Sequence, residues 1–257
     1  MHKVRLLGAG IIAIFLACPA VAPAQAQSFS SDQRNEIERI VKEYLLSHPE
    51  LLQDVMNELE KRQAVADAEK HRTAISQYSD TIFASARQVT LGNPQGDVTV
   101  VEFFDYNCGY CKRALNDMME LLKSDSKLKF VLKEFPVLGD GSVQAAQIAA
   151  AVRMQDKNGG KKYLEFHQKL LGSRGQADRA RALAVAKEVG LDVARIEKDA
   201  ASEEVKSQLE ESFKLAEALG LNGTPSYVIG NDVVIGAVGL SSLKEKINTA
   251  RCGKATC

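Results

Sequence analysis

The chain has 257 residues, with 33 Lys and Arg against 33 Asp and Glu, so its formal net charge is zero and no nucleic-acid partner is suggested. Hydrophobic residues make up 45% and charged residues 26%, an ordinary globular composition for one domain with an appendage or two small ones. Six Tyr, nine Phe and no Trp argue against an aromatic-rich carbohydrate- or base-stacking surface.

Residues 1–26 read as a secretory signal peptide rather than as fold. His2, Lys3 and Arg5 give a basic start, Leu6 to Ala17 an apolar run too short to span a bilayer comfortably, and Ala24-Gln25-Ala26 a small-x-small cleavage signal. The competing readings are an uncleaved anchor and a lipoprotein built on Cys18, whose preceding Phe15-Leu16-Ala17 matches poorly. Cleavage after Ala26 removes Cys18 and leaves Cys108, Cys111, Cys252 and Cys257. An even count fits an oxidising compartment, but four cysteines are too few for a disulfide scaffold. The fold must rest on its own core.

Residues 27–87 read as a helical region. Ile37, Ile40, Val41, Tyr44 and Leu45 share one helical face. Ser47-His-Pro-Glu50 resembles a capping box with Pro49 in the first turn of a second, longer helix, whose apolar stripe is Leu51, Leu52, Val55, Met56 and Leu59. Such a region cannot bury two stripes alone. It either packs on the main domain or pairs with copies of itself.

Residues 88–257 read as a second domain, opened by turn chemistry at Gly92-Asn-Pro-Gln-Gly96. Val98 to Phe104 is a β-branched and aromatic run bounded by turns, a buried strand. A helix is predicted over Lys112–Leu122 and a second strand over Leu128–Phe135. From about 140 to 220 the pattern is helical, broken at Asn158-Gly-Gly160, Gly172-Ser-Arg-Gly175 and Gly190-Leu-Asp192. A hairpin around Asn231-Asp232 and a helix over Leu240–Ala250 close the chain. Strand–helix–strand, a helical block, then hairpin–helix is an α/β thioredoxin fold with an inserted helical domain.

Cys108-Gly-Tyr-Cys111 lies at the strand-to-helix junction. A helix N-terminus carries unpaired N–H groups and a partial positive charge, which stabilise a thiolate. Cys108 at the tip should therefore be an exposed, ionised nucleophile, with Cys111 one turn on and more buried. Together they suit thiol–disulfide exchange through a mixed disulfide. Half of a zinc site, a static disulfide and a copper(I) site on Cys108 and Cys111 remain as alternatives. No second ligand pair at zinc-finger spacing accompanies the motif. Among the histidines, His167 reads as helix surface or core rather than as a ligand.

Val101-Glu-Phe-Phe-Asp-Tyr-Asn-Cys-Gly-Tyr-Cys-Lys112 resembles the active-site segment of the DsbA-like family of thiol–disulfide oxidoreductases. Phe130 to Gly139 is similar to its second strand and exit, and Gly223-Thr-Pro-Ser-Tyr227 to its cis-proline loop. The N-terminal helices resemble the oligomerisation segment of the suppressor-of-copper-sensitivity protein C subgroup. The resemblance implies a cis Pro225 against the cysteines, with Thr224 touching them. It also implies that Glu102 and Lys133 form a buried pair shuttling protons to Cys111; a plain structural ion pair or solvated side chains are the alternative. Gly109-Tyr110 between the sulfurs, without the His of strong oxidases, resembles disulfide isomerases, as does Thr224 before the proline.

Together these features predict an oligomeric periplasmic disulfide isomerase acting on misfolded exported proteins. It would need no cofactor, take electrons from a membrane-bound thiol reductase, and assemble as dimer or trimer through the N-terminal helices. A dithiol oxidase and a copper-binding module are the rivals. Cys252 and Cys257 read first as a local disulfide, with free thiols, an intermolecular bridge or a second exchange site as the other possibilities.

Overall fold

The computed structural model describes residues 29–156 and 159–257, so the leader expected over 1–26 lies outside the described residues. The chain divides into two compact units, one ending at Glu58 and one running from Leu59 to Cys257. The division falls inside a helix and well before the boundary at 87 that composition suggests. The reason is packing: Ala74, Ile75 and Ile82, in the thinly patterned second half of the helical region, are buried in a core cluster with Val101, Phe103 and Val131. A stripe of only a few apolar positions is enough to tie that half to the domain.

In the first unit, α1 (Ser31–Ser47) opens with a full capping box: the Ser30 hydroxyl accepts from the Gln33 N–H at 3.2 Å, and Gln33 Oε1 accepts from the Ser30 N–H at 3.0 Å. The capping box expected at Ser47 is not formed. Ser47 is the last residue of α1, and its hydroxyl donates backward to the Glu43 and Tyr44 carbonyls at 2.7 and 3.1 Å. Pro49 stands just before α2 (Glu50–Gln77), where its lack of an N–H costs nothing. No residue of α1 is buried; Ile37, Ile40, Val41 and Tyr44 are exposed, as are Leu52, Val55 and Met56 of α2.

In the second unit, α3 (Ser79–Phe83) leads to β1 (Val89–Gly92), a four-residue strand that sequence reading misses because so short a run shows no period. β2 (Val98–Phe104), α4 (Gly109–Ser124) and β3 (Leu128–Glu134) follow. The insertion holds α5 (Asp140–Gln155), α6 (Lys161–Gly172), α7 (Arg179–Glu188), α8 (Val193–Ala200) and α9 (Glu203–Ala218). β4 (Ser226–Ile229), β5 (Asp232–Ile235) and α10 (Leu240–Cys252) complete the chain.

The sheet order is β1-β3-β2-β4-β5, with β2 and β3 parallel and the other pairs antiparallel. β2 and β3 are buried on both faces, which explains their nearly unbroken apolar runs. Side chains alternate between the faces. Val100, Phe104, Phe130, Leu132 and Tyr227 join Met118 and Leu121 of α4, Leu243 and Ile247 of α10, and the insertion in one core. Val101, Phe103, Val131 and Val228 face the other, with Leu215 and Ala216 of α9 and Leu219 just after it. At the centre of the insertion, Ala149, Ala150 and Ala151 of α5 are fully buried; small side chains let four neighbouring helices approach one.

Candidate functional site

β2 ends in the buried core at Phe104, and the next four residues turn the chain into α4. Asp105 makes that turn. Its buried carboxylate accepts from the Asn107 N–H at 2.7 Å, the Ser142 hydroxyl at 2.7 Å, and the Val137 and Leu138 N–H groups at 2.8 and 3.0 Å. One side chain thus joins the loop before the cysteines, the loop after β3 and the first turn of α5. Asn107 extends the clamp, donating to Ser142 Oγ and to the Ala177 carbonyl, both at 2.9 Å. Asp-x-Asn before a helix is an Asx-turn signature, so this clamp was readable in principle, although sequence reading passes over it.

Cys108 is the N-cap of α4, with extended backbone angles. No side chain caps this end, so the Tyr110 and Cys111 N–H groups are left to the Cys108 sulfur. The thiol falls to about pKa 5, chiefly because the Cys111 side chain hydrogen-bonds it, helped by the Thr224 side chain and those two N–H groups against the opposing effect of burial. The partner moves the other way: Cys111 is pushed well above an ordinary thiol by the same Cys108 contact, by burial and by the nearby Glu102. Both are free thiols. At neutral pH the pair is a thiolate and a thiol, with the S–H of Cys111 donating to Cys108.

The expectation of an exposed Cys108 needs correcting. It keeps 6% of its surface, against 1% for Cys111, and the Thr224 carbonyl lies 3.1 Å from its sulfur. That carbonyl accepts only from the protonated thiol, whereas the Thr224 side-chain contact favours the thiolate. The Thr224–Pro225 peptide is cis, as the resemblance implies. Tyr110, between the sulfurs, is 59% exposed, and the Arg113 guanidinium stacks over its ring at 4.3 Å. Nothing crowds the missing side chain of Gly109.

Glu102 and Lys133 are not brought together. In the β2–β3 register Glu102 lies opposite Leu132, while Lys133 lies opposite Phe103. Glu102 therefore faces the cysteines, whereas Lys133 faces α3 and α9. There its ammonium donates to the Thr81 carbonyl at 2.9 Å and pairs with Glu211 at 3.4 Å. A shift of one position reverses the face of a strand residue. Burial, with Asp117 and Cys108 adding repulsion, raises Glu102 to about pKa 8. Asp117 of α4 is raised by burial as well.

His167 belongs to the core. With Phe104, Tyr106 and Tyr163 it forms a buried aromatic cluster, and its Nδ1 lies 3.3 Å from Tyr106 Oη; burial lowers it to about pKa 3, so it stays neutral. Tyr163 donates to Glu134, which Gln208 also holds at 2.7 Å. Cys252 and Cys257 form a disulfide. Among the described residues, no group of three or more His, Cys, Asp or Glu is placed to hold a metal, so a soft ion at Cys108 and Cys111 would have two thiolates. No helix among them is long and apolar enough to cross a membrane.

A Cys-x-x-Cys pair capping a helix after a central strand, facing a cis-proline loop, defines a thioredoxin-type fold, here with a helical insertion. Residues 99–248 match the DSBA-like thioredoxin domain, more than half of the chain, and the chain belongs to that family. Residues 33–66 match the N-terminal domain of the copper resistance protein ScsC. A thioredoxin-like oxidoreductase from Silicibacter pomeroyi DSS-3 is 43% identical, covering 67% of this chain and 96% of its own, with a TM-score of 0.63. The catalytic domain of Proteus mirabilis ScsC is 26% identical over 70% of this chain and 98% of its own, with a TM-score of 0.63. The Na(+)/H(+) antiporter NhaA 1 of Salinispora arenicola is 26% identical over 65% of this chain, which spans only 25% of that relative's length.

Proposed function

We propose that this protein is an exported thiol–disulfide oxidoreductase that rearranges disulfides in misfolded periplasmic proteins. One observation carries the reading: Cys108 caps the tip of α4 beside the cis Thr224–Pro225 peptide, with the Tyr110 and Cys111 N–H groups and the Cys111 side chain directed at its sulfur, which lowers its pKa. A thiolate that persists at neutral pH both attacks a disulfide and leaves readily from a mixed disulfide. The protonated Cys111 stays in reserve. It resolves the mixed disulfide once its proton has moved, and the ionised fraction of Glu102, a carboxyl near pKa 8 that faces the pair, can take that proton. Thr224 and Pro225 supply the backbone against which a client chain lies beside Cys108.

Isomerisation rather than net oxidation is supported by Gly109-Tyr110, which places no histidine between the sulfurs. It is supported too by the exposed apolar positions of α1 and α2, which need a second copy of the chain to cover them. An assembly of such chains screens Cys108 from oxidising partners and surrounds a client with several sites. A membrane-bound thiol reductase would keep Cys108 reduced.

Reactivation of scrambled ribonuclease by the reduced protein tests this reading. The wild type should restore activity, while Ile40→Glu combined with Val55→Glu should become monomeric and lose isomerisation but keep simple dithiol exchange. A monomer that isomerises as well as the wild type removes the assembly argument. A wild type that exchanges no disulfide removes the function.

A further inference from the structure

On the insertion some cations are paired, while others, Lys161, Arg181, Lys187 and Lys198, form no salt bridge among the described residues. Lys169 pairs with Glu188, Arg179 with Glu197 and Arg195 with Asp199. Lys112, Arg113 and Arg174 form no salt bridge among the described residues. Lys112 Nζ instead donates to the Ser173 carbonyl at 3.2 Å, fastening the first turn of α4 to the loop that carries Arg174. Arg113 lies over the exposed ring of Tyr110, between the two cysteines in sequence, so its N–H edge stays free for a planar anion. Of the nearby acids, the Asp105 carboxylate is taken up by four donors, Glu102 is buried beneath the site, and Asp117, one turn along α4 from Arg113, is half-buried and forms no salt bridge with it.

We infer that Lys112, Arg113 and Arg174 form a recognition rim for client segments that carry Asp or Glu next to the reacting cysteine. The inference rests on the oxidoreductase reading and names the clients of that same site. Its physical basis is repulsion. When the Cys108 thiolate attacks a client sulfur, a bond forms between the two sulfurs as the client's own disulfide breaks, and the electron pair leaves on the released thiolate. Client carboxylates repel both the attacking and the leaving thiolate. Three cations without ion pairs, two in the first turn of α4 and one in the loop that Lys112 holds, reduce that penalty and draw acidic segments in. Arg113 adds geometry, because a guanidinium grips a carboxylate through two parallel N–H groups while its face rests on an aromatic ring.

The test uses the full-length oxidised protein and three decapeptides, each with one cysteine flanked on both sides by Glu, Gln or Lys. Each peptide's rate of reducing the protein is divided by its rate with a small uncharged disulfide, which removes the intrinsic reactivity of its thiol. The Glu peptide should exceed the Lys peptide about tenfold at low salt, a margin that collapses toward parity in about 0.5 M salt. In Lys112→Gln/Arg113→Gln/Arg174→Gln the ratio should fall to within about twofold of one. The ratio is taken within one protein, so a change in Cys108 ionisation cancels. A wild type that does not favour the Glu peptide overturns the rim and leaves the oxidoreductase reading standing, and so does a triple variant that keeps the preference. If none of the peptides reduces the protein while the small disulfide still oxidises them, the oxidoreductase reading falls and the rim with it.

Discussion

The chain carries two cysteine pairs at opposite ends of two helices. Cys108 caps the N-terminus of α4 with Cys111 one turn inside, under a loop. Cys252 is the last residue of α10, followed by Gly253 in the left-handed conformation, and is bonded to an exposed Cys257. The sulfur is the same; the backbone around it is not. At the first site N–H groups converge on the thiol, and a second thiol donates to it. At the second, the reduced sulfurs would meet carbonyls, those of Lys254 and Asn248. Helix ends of opposite polarity thus separate a site of exchange from a clip on the tail.

The strongest way to break this contrast is to remove each pair in turn. Cys108→Ser should abolish disulfide exchange, measured as insulin reduction or as ribonuclease reactivation. Cys252→Ser with Cys257→Ser should leave exchange within about twofold of the wild type, since it touches none of the groups that ionise Cys108. Loss of exchange in the tail variant would make the second pair part of the chemistry.

Alkylation sharpens the contrast. With all four sulfurs reduced, iodoacetamide at pH 6 should modify Cys108 at least about tenfold faster than Cys252 or Cys257, because the thiolate is the reacting species. The Cys108 rate should rise with a midpoint near pH 5. Equal rates at all three positions would mean that the backbone at the α4 tip does not stabilise the anion.

A smaller effect isolates the contribution of the partner sulfur. Cys111 supplies the largest single stabilisation of the Cys108 thiolate. Cys111→Ala removes that donor and should move the alkylation midpoint up by about one to two units, as expected for loss of a hydrogen bond to an ion. Cys111→Ser keeps a hydroxyl donor and should move it less. No shift in either variant would assign the ionisation to the Tyr110 and Cys111 N–H groups and to Thr224 instead.

The parts of this site that the sequence shows are those set by local spacing. Cys-x-x-Cys after an apolar strand places both sulfurs at a helix tip wherever the rest of the chain goes, and Thr224-Pro225 comes with the family pattern. The parts it hides depend on parity and on distant contacts. Lys133 looks like a partner for Glu102 because both are charged residues in adjacent strands, yet one step in register sends it to Thr81 and Glu211. Cys108 is contacted by Thr224, 116 positions away. β1 is legible only through its antiparallel pairing with β3. In the N-terminal region the apolar stripe of α1 was readable, but the attachment of Ala74, Ile75 and Ile82 to the domain was not, since alternating charges mask so few contacts.

The last difference between the two pairs is the buried acid beneath the first. Glu102 is raised from an ordinary carboxyl to about pKa 8, mainly by burial. Its folded form therefore holds a proton that the unfolded chain releases near pH 4.5. The stability this gives is fully present below about pH 4.5 and is lost as pH rises toward 8, because only the unfolded state then ionises freely. The reduced Cys108 works in the opposite sense, stabilising the fold as pH rises above about 5, so the two slopes partly cancel in the reduced protein. Oxidation of Cys108 and Cys111 to a disulfide removes the thiol titration and leaves the desolvation of Glu102. Urea unfolding of the oxidised protein should then show stability falling between pH 4.5 and 8, and Glu102→Gln should flatten that fall. Parallel curves for the two proteins would mean that water reaches the carboxyl, and with it the protonation of Cys111 would lose its proposed route.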